Sequence, residues 1–545
     1  MKAKLNLKKR LYLLFISVFT AACDIYFQGG NNGAAAITAK ALVYLALYYG
    51  FFFVMEKCLY YCHHHTGSSN WYQLLVYNKK NVLRLSLLFF AVYFFYLLIF
   101  YPGVTSGDTM YQLEDLVTGT SPMAYPSTYS NRTISALMID SNPVATTLIF
   151  TLFYKIGILA GNANYGLFFY NFLQCGCLSI LFATIICYME RLHVPKPFAV
   201  LSIIFYISPV IASFAIFMGK DMLFSLCFIL YYHIFAWMIL NPQEQGGSRK
   251  QWLLLISLSI LISLMNKKGM YLALFSNLCL IFVVSGKKKF LALPAAALPF
   301  FVVAVLIQQL IFPALNIYPG GKQEVLGVAF QQTSLSLIEH PEHYSEEEKT
   351  LFFSLLDLSQ DELKEIYNPE ITDPIKNRFP YDTGKEEVQA YLRMWAAHFP
   401  HEFITYIRAT LSISGGYFTP HKAFNVYQYT PYSEALQAFS QPGQLTFLRE
   451  SLGALIYWLE NIPILSVFSQ DSFYVFWIPA FALYYFFKLR ERRKIVLLAP
   501  YAANILFLLF APVCITRYGL CQLLSFPMLL TIIAQPTEDN EKSSV

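Results

Sequence analysis

Apolar runs near twenty residues long, separated by short polar breaks, fill most of this chain. An α-helix needs about 20 such residues to cross roughly 30 Å of hydrocarbon. The pattern therefore predicts an all-α, polytopic integral membrane protein. Basic residues collect at the ends of the runs, in six clusters: Lys2 to Arg10; Lys79, Lys80 and Arg84; Arg191 and Lys196; Arg249 and Lys250; Lys287 to Lys289; and Lys488 to Lys494. With these clusters placed in the cytoplasm, helices are predicted near 11–27, 37–57, 85–101, 165–188, 198–217, 222–240, 252–265, 269–286, 290–312, 472–488, 494–511 and 518–534. That is about 12 transmembrane helices with both termini cytoplasmic. The run at 143–160 does not fit as a span, since counting it would move Arg191, Lys196 and Lys287 to Lys289 outside. It is short and carries Lys155, so it reads as an interfacial helix on the outer side.

Two longer segments fall outside the membrane in this scheme. One is the outer loop 102–164. The other, 313–471, holds most of the polar sequence: residues 318–402 contain 16 of the 33 acidic residues and only 7 of the 39 basic ones. Ser345-Glu346-Glu347-Glu348 and Ser359-Gln360-Asp361-Glu362 read as capping boxes, with Ser at the cap and Glu three residues later. Pro369, Pro374 and Pro380 interrupt the middle, and Tyr367, Tyr381, Tyr391 and Trp395 supply a core. A small helical extracytoplasmic domain is predicted. The organisation expected is two additional N-terminal transmembrane helices with a cytoplasmic loop in 1–84, a transmembrane core in 85–312, the outer domain in 313–471, and C-terminal transmembrane helices with a cytoplasmic tail in 472–545.

Composition agrees. Of 545 residues, 56% are hydrophobic, 17% aromatic and only 13% charged, and the mean hydropathy is +0.47. About a quarter of a soluble protein is charged, so a water-soluble globule is excluded. The net charge of +6 sits at run ends as a topology signal, which argues against a nucleic-acid partner. Among the ten cysteines, Cys175, Cys177, Cys187, Cys227, Cys279 and Cys521 fall inside apolar runs, so no disulfide framework is expected. No secretory cleavage signal follows the basic start, and the first helix is read as retained. Asp24 to Gly29 has the look of a protease-tag scar, but it runs on from that helix.

Charge also appears where apolar helices turn on the outer side. Tyr101-Pro102-Gly103-Val104-Thr105-Ser106-Gly107-Asp108 leaves the third helix; Ser106 can cap a new one, placing Asp108, Tyr111, Gln112 and Asp115 on one face. Asp108 could deprotonate an acceptor hydroxyl or hold a cation; it could also simply favour its own helix N-terminus. Lys220-Asp221 joins two apolar helices with almost no loop, a costly placement unless the charges are paired or used. Asn266-Lys267-Lys268-Gly269 forms a third such hairpin, whose lysines could meet an anion such as a lipid phosphate. Thr516-Arg517-Tyr518 opens the last helix; Arg517 can grip a phosphate bidentately or snorkel to lipid headgroups. All four charged turns are predicted at one membrane level. His63-His64-His65 reads as a solvated tract rather than a metal site. Asn131-Arg132-Thr133 matches a glycosylation acceptor that matters only in a eukaryotic secretory route.

The order of these elements resembles the C-type glycosyltransferase superfamily, polytopic enzymes that take a sugar from a polyprenyl-phosphate donor at the outer membrane face. Ser106-Gly107-Asp108 matches the family's essential loop Asp. Asn142-Pro143 matches the Pro of its interfacial helix but lacks the preceding cation. Lys220-Asp221, Lys268-Gly269 and Arg517-Tyr518 match its later outer motifs. The chain also looks like a family of uncharacterised multi-pass proteins of Gram-positive bacteria, through Tyr-Pro-Gly…Gly-Asp, Lys-Asp and Tyr367-Asn368-Pro369…Asp373-Pro374…Lys376. The resemblance implies a cell-membrane transferase with its site on the extracytoplasmic face. Asp108 and Asp221 would be catalytic. Tyr111, Gln112, Asn142, Lys220, Lys267, Lys268, Arg517 and Tyr518 would bind substrate. The implied partners are a polyprenyl-phosphate-linked sugar donor, a glycan or wall-polymer acceptor, and membrane lipids. No metal ligands stand out; because no Asp-x-Asp occurs at 108, a divalent cation would be an optional cofactor. A flippase or transporter of a lipid-linked sugar is the rival reading. Such a protein should carry its charges near the bilayer midplane at broken helices, whereas here they gather at one face.

Overall fold

The computed structural model describes residues 2–30, 33–65, 75–118, 138–240, 247–380, 383–421, 423–427, 436, 439–463 and 465–536. Asn131 to Thr133 lies outside the described residues. The fold is all-α, 79% helical, with four strands of two or three residues among the described residues. Among the described residues, seven helices are long and apolar enough to cross a membrane: Leu7–Phe27, Ala34–His64, Lys79–Ile99, Ala163–Arg191, Lys220–Leu240, Gly286–Ala314 and Thr516–Ala534.

Several other expected spans are divided, each at a recognisable break. The helix expected over 198–217 is two, Lys196–Tyr206 and Pro209–Ala215, bent by 57°. Pro209 cannot donate to the preceding turn, and Ser208 caps the new helix by accepting from the Ile211 amide. The run 494–511 divides into Arg492–Val496 and Ala499–Leu509, with Pro500 in the first turn of the second piece. The helix over 269–286 stops at Cys279 and continues as a short 3-10 turn. Val144–Leu159 forms the helix expected at 143–160. It packs closely on the next one: a Cβ on Gly166 would lie 2.0 Å from the Phe153 carbonyl oxygen.

The membrane helices pack around buried polar bridges as well as apolar surface. Asn277 is fully buried; it accepts from the Tyr231 hydroxyl at 2.9 Å and donates to Ser259 Oγ at 3.0 Å and the Ala295 carbonyl at 2.9 Å. One side chain thus joins four helices. Such a group is tolerated in a low-dielectric interior because its partners are satisfied. Asp24, in the first helix, is also buried. It pairs with Lys40 at 2.8 Å and His421 at 2.9 Å and accepts from the Tyr44 hydroxyl. The string Asp24 to Gly29 is therefore integrated in the fold.

Residues 323–414 form a helical unit with its own core, in which Phe330, Phe352, Leu356, Leu363, Ile375 and Tyr391 are buried. Both expected capping boxes are present, Ser345 with Glu348 and Ser359 with Glu362. Its last helix, Phe403–Ser414, meets the first helix of the chain, and at the adjoining Gly415 a Cβ would sit 2.6 Å from the Cys23 carbonyl oxygen. Thr446–Asn461 leaves Phe447, Tyr457 and Trp458 exposed. That aromatic face suits a helix lying in a membrane interface.

Two short parallel strand pairs organise the far end of the bundle. β1 (Val104–Thr105) pairs with β3 (Phe217–Met218), and β2 (Met138–Asp140) pairs with β4 (Ile317–Pro319). Parallel neighbours need long connections, and here whole helices supply them.

Candidate functional site

Strands β1 and β3 each run directly into a helix, Gly107–Thr118 and Lys220–Leu240. Parallel pairing therefore sets the two helix N-termini side by side, fixed by a hydrogen bond from Thr109 Oγ1 to the Met218 carbonyl at 2.8 Å. Asp108 and Asp221 both lie in first turns, where the helix dipole favours a carboxylate. Lys220 Nζ lies 2.9 Å from Asp108 Oδ2 and also donates to Asn142 Oδ1.

Arg517, in the first turn of Thr516–Ala534, bridges the two carboxylates. Its Nη1 lies 2.9 Å from Asp108 Oδ2, and its Nε lies 3.8 Å from Asp221 Oδ2. Among the described residues, that buried Nε makes no hydrogen bond. Asp221 is 2% exposed and accepts from Asn266 Nδ2 at 3.1 Å. Asn266 in turn caps Lys267–Cys279 by accepting from the Lys268 amide. Lys268 Nζ donates to the Tyr518 carbonyl at 2.7 Å and lies over the Phe224 ring. Thr516 donates to the buried Asp471 at 3.0 Å.

The charges can be counted. Asp108 and Asp221 balance Lys220 and Arg517, and Lys267 pairs with Asp140 at 3.0 Å. Among the described residues, Lys268 has no carboxylate within ion-pair distance; with Asp471 counted, four cations stand beside four carboxylates. Burial opposes ionisation of Asp108, but Lys220 and Arg517 outweigh it and hold its carboxyl well below the ordinary 3.8. At Asp140 burial wins over Lys267, and its carboxyl is raised.

A cavity of about 180 Å³ adjoins the Lys267–Asp140 pair. Val144, Leu148, Val303 and Ile307 supply apolar walls, and Gln308 shares its polar end. On another side, Tyr427 stacks flat on Phe217, with ring centroids 4.5 Å apart.

The structure thus brings together Asp108, Asp221, Asn142, Lys220, Lys268, Arg517 and Tyr518 from five separate stretches of chain. Lys267 stands at the edge, held by Asp140. Two of the residues expected on one face with Asp108 lie elsewhere. Tyr111 is exposed, and Gln112 is buried against the Val144–Leu159 helix, donating to Thr146 Oγ1 at 2.7 Å and Thr147 Oγ1 at 2.9 Å. Asp140, Asn266 and Asp471 are additions that sequence reasoning missed. Asp140 stands two residues before Asn142, and Asn266 inside a turn noticed for its lysines, so both positions offered a signal.

A family model described as a family of unknown function, DUF6020, matches residues 11–545. No curated protein and no solved structure matches the chain.

Proposed function

We propose that this chain, which belongs to the DUF6020 family, is a membrane glycosyltransferase moving a sugar from a polyprenyl-phosphate donor to an acceptor hydroxyl outside the cell. One observation carries the reading: four charged turns far apart in sequence converge on a single centre, where Arg517 spans two carboxylates and Lys268 is held by a backbone carbonyl rather than by a carboxylate. Buried charge of this kind is costly at the ends of membrane helices unless it serves a ligand or a structural pair.

In this reading the donor phosphate enters between Lys220, Arg517 and Lys268, and its isoprenoid tail lies among apolar walls such as those of the adjoining cavity. The Nε of Arg517, 3.8 Å from Asp221 and without a hydrogen bond among the described residues, gives the phosphate a further donor. As the phosphate draws both cations, Asp108 loses what depresses its pKa and becomes a stronger base. Donor binding and base activation are then coupled. The acceptor oxygen attacks the anomeric carbon, and its proton passes to Asp108. The bond from that carbon to the phosphate oxygen breaks, and the phosphate leaves with the electron pair. Fixed cations stabilise the charge that grows there.

The same proposal includes about twelve crossings, both termini in the cytoplasm, and the charged centre with residues 313–471 on the outer face. The outer unit would select the acceptor, a wall polymer or lipid-linked glycan. Comparing surface glycans of cells with and without the gene tests the activity, with Asp108→Asn introduced at the chromosomal locus as the site-specific control. Unchanged glycans in both strains would sink it.

The 57° bend just before β3 and Lys220 favours the second reading, a flippase for a lipid-linked sugar, since transporters place sites at broken helices. Purified protein in vesicles separates the two: a transferase yields a new glycosidic product, and a flippase yields only redistributed donor.

A further inference from the structure

Four of the ten histidines lie in two short segments, His340-Pro341-Glu342-His343 and His398-Phe399-Pro400-His401-Glu402. The fold brings the segments together, far from the charged centre in sequence and made from none of its residues. His340 ends the Gln323–Glu339 helix, and Pro341–His343 forms a tight 3-10 turn. Glu402 stands at the start of Phe403–Ser414.

We propose that His340, Glu342 and His343 bind one divalent transition-metal ion of the zinc type, with Glu402 as the positioning residue behind them. Ligand atoms of the three residues lie within 4.8 Å of one another. A tetrahedral zinc ion with bonds of about 2.1 Å needs its ligands about 3.4 Å apart. Closing that gap takes roughly an ångström of movement by side chains that stand in solvent. The imidazoles of His340 and His343 already lie nearly parallel, 5.1 Å between centroids.

The arrangement behind the turn is the second observation. Glu402 is 2% exposed, and its Oε1 accepts from Nδ1 of His343. A buried carboxylate that holds one imidazole nitrogen fixes the ring and turns the other nitrogen outward, as behind metal-bound histidines generally. Nε2 of His343 is then the coordinating atom. Two imidazoles with a carboxylate suit zinc and its neighbours far better than calcium or magnesium, which prefer oxygen. The nearby His398 is already engaged, stacked on Tyr344 and hydrogen-bonded to Glu348. A bound ion would fix the 340–343 turn, whose His343 is already held by Glu402 at the start of the Phe403–Ser414 helix.

The test uses the full chain in detergent, stripped with chelator and titrated with zinc chloride against a chromophoric competitor. One tight equivalent is expected, accompanied by a rise in the unfolding temperature. His340→Ala and His343→Ala should abolish both effects, while a His63→Ala/His64→Ala variant keeps them. Glu402→Gln retains an oxygen acceptor for Nδ1 and should bind about tenfold more weakly, and Glu402→Ala about a hundredfold. Their zinc-free unfolding temperatures provide the folding control. His340 is partly exposed, so its variant remains informative if the Glu402 variants fail to fold. Absence of a tight equivalent in the wild type, or its persistence in His340→Ala, would overturn the proposal.

Discussion

The contact between Arg517 and Asp108 can be weighed by a double-mutant cycle, using Asp108→Asn, Arg517→Gln and the combined variant. Nη1 and Oδ2 are 2.9 Å apart, and the side chains are 12% and 21% exposed. With charge centres about 4 Å apart and an effective dielectric near 20, the attraction is about 4 kcal/mol. Lys220 also touches Asp108, and Asp221 also faces Arg517, so part of that attraction is shared with other partners. Residual solvent lowers it further. A coupling energy of about 2 kcal/mol is expected, within the range for residues in contact. Each single variant should lose about 3 kcal/mol, because it strands a buried partner. The double variant should lose clearly less than their sum. Reversible unfolding in mixed detergent at pH 7 measures the stabilities. The pH matters little there. Asp108's carboxyl is held below its ordinary 3.8, so its contribution is complete above 3.8 and is lost only as pH falls through the lower folded value. Sugar transfer from saturating donor is the second axis. The charge-balanced double variant should lose about 4 kcal/mol rather than about 6 and should show no activity, since both groups act on substrate. Additive stability losses would refute the pairing, and recovered activity would reduce it to a structural ion pair.

Three further outcomes are expected. Asn277→Leu keeps the volume and leaves the buried Tyr231 hydroxyl without its acceptor; it should cost about 2 kcal/mol in the same unfolding assay, and a loss below 0.5 kcal/mol would mean the bridge contributes little. Gly269→Ala would place a Cβ 2.3 Å from the Ile262 carbonyl oxygen; backbone cannot yield as a side chain can, so a loss of up to about 3 kcal/mol is expected, with transfer impaired through displaced Asn266 and Lys268. For sidedness, single cysteines at Glu365 or Lys385 should label from outside intact cells, and ones at Gly247 or Glu491 should not; outside labelling at 247 would overturn the topology.

Local signals were legible in the sequence. Ser345 and Ser359 announce their helices because a cap and its Glu are three residues apart. Asp108, Lys220, Asp221, Lys268 and Arg517 could be grouped because each stands in a turn between apolar runs. Their mutual contacts were not readable, because they depend on β1 meeting β3 across more than a hundred residues. The same limit hid Asp140, whose strand pairs with Ile317–Pro319. Apolar counting joined helices at 207–208 and 497–498, because hydropathy does not register the cap at Ser208 or the restart at Pro500. Gln112 was misplaced for another reason: spacing gives the face of a helix but not its neighbour, and Thr146 and Thr147 claim this one.

The strand pairs also dictate an order of assembly. Asp108 is made early in synthesis, yet β1 has no partner until Phe217 and Met218 have emerged. β2 then waits for Ile317–Pro319, and the two carboxylates wait for Arg517, in the last described helix. At ~5–20 residues per second, about 400 residues separate the first carboxylate from its guanidinium, an interval of roughly 20–80 seconds. Until Arg517 arrives, Asp108 has only Lys220 of its two cations. A ribosome that stops short of the final helix therefore leaves two carboxylates without their bridging cation. Such a chain carries carboxylates at helix ends without their guanidinium, a feature by which membrane proteases and insertases could tell an unfinished molecule from a finished one.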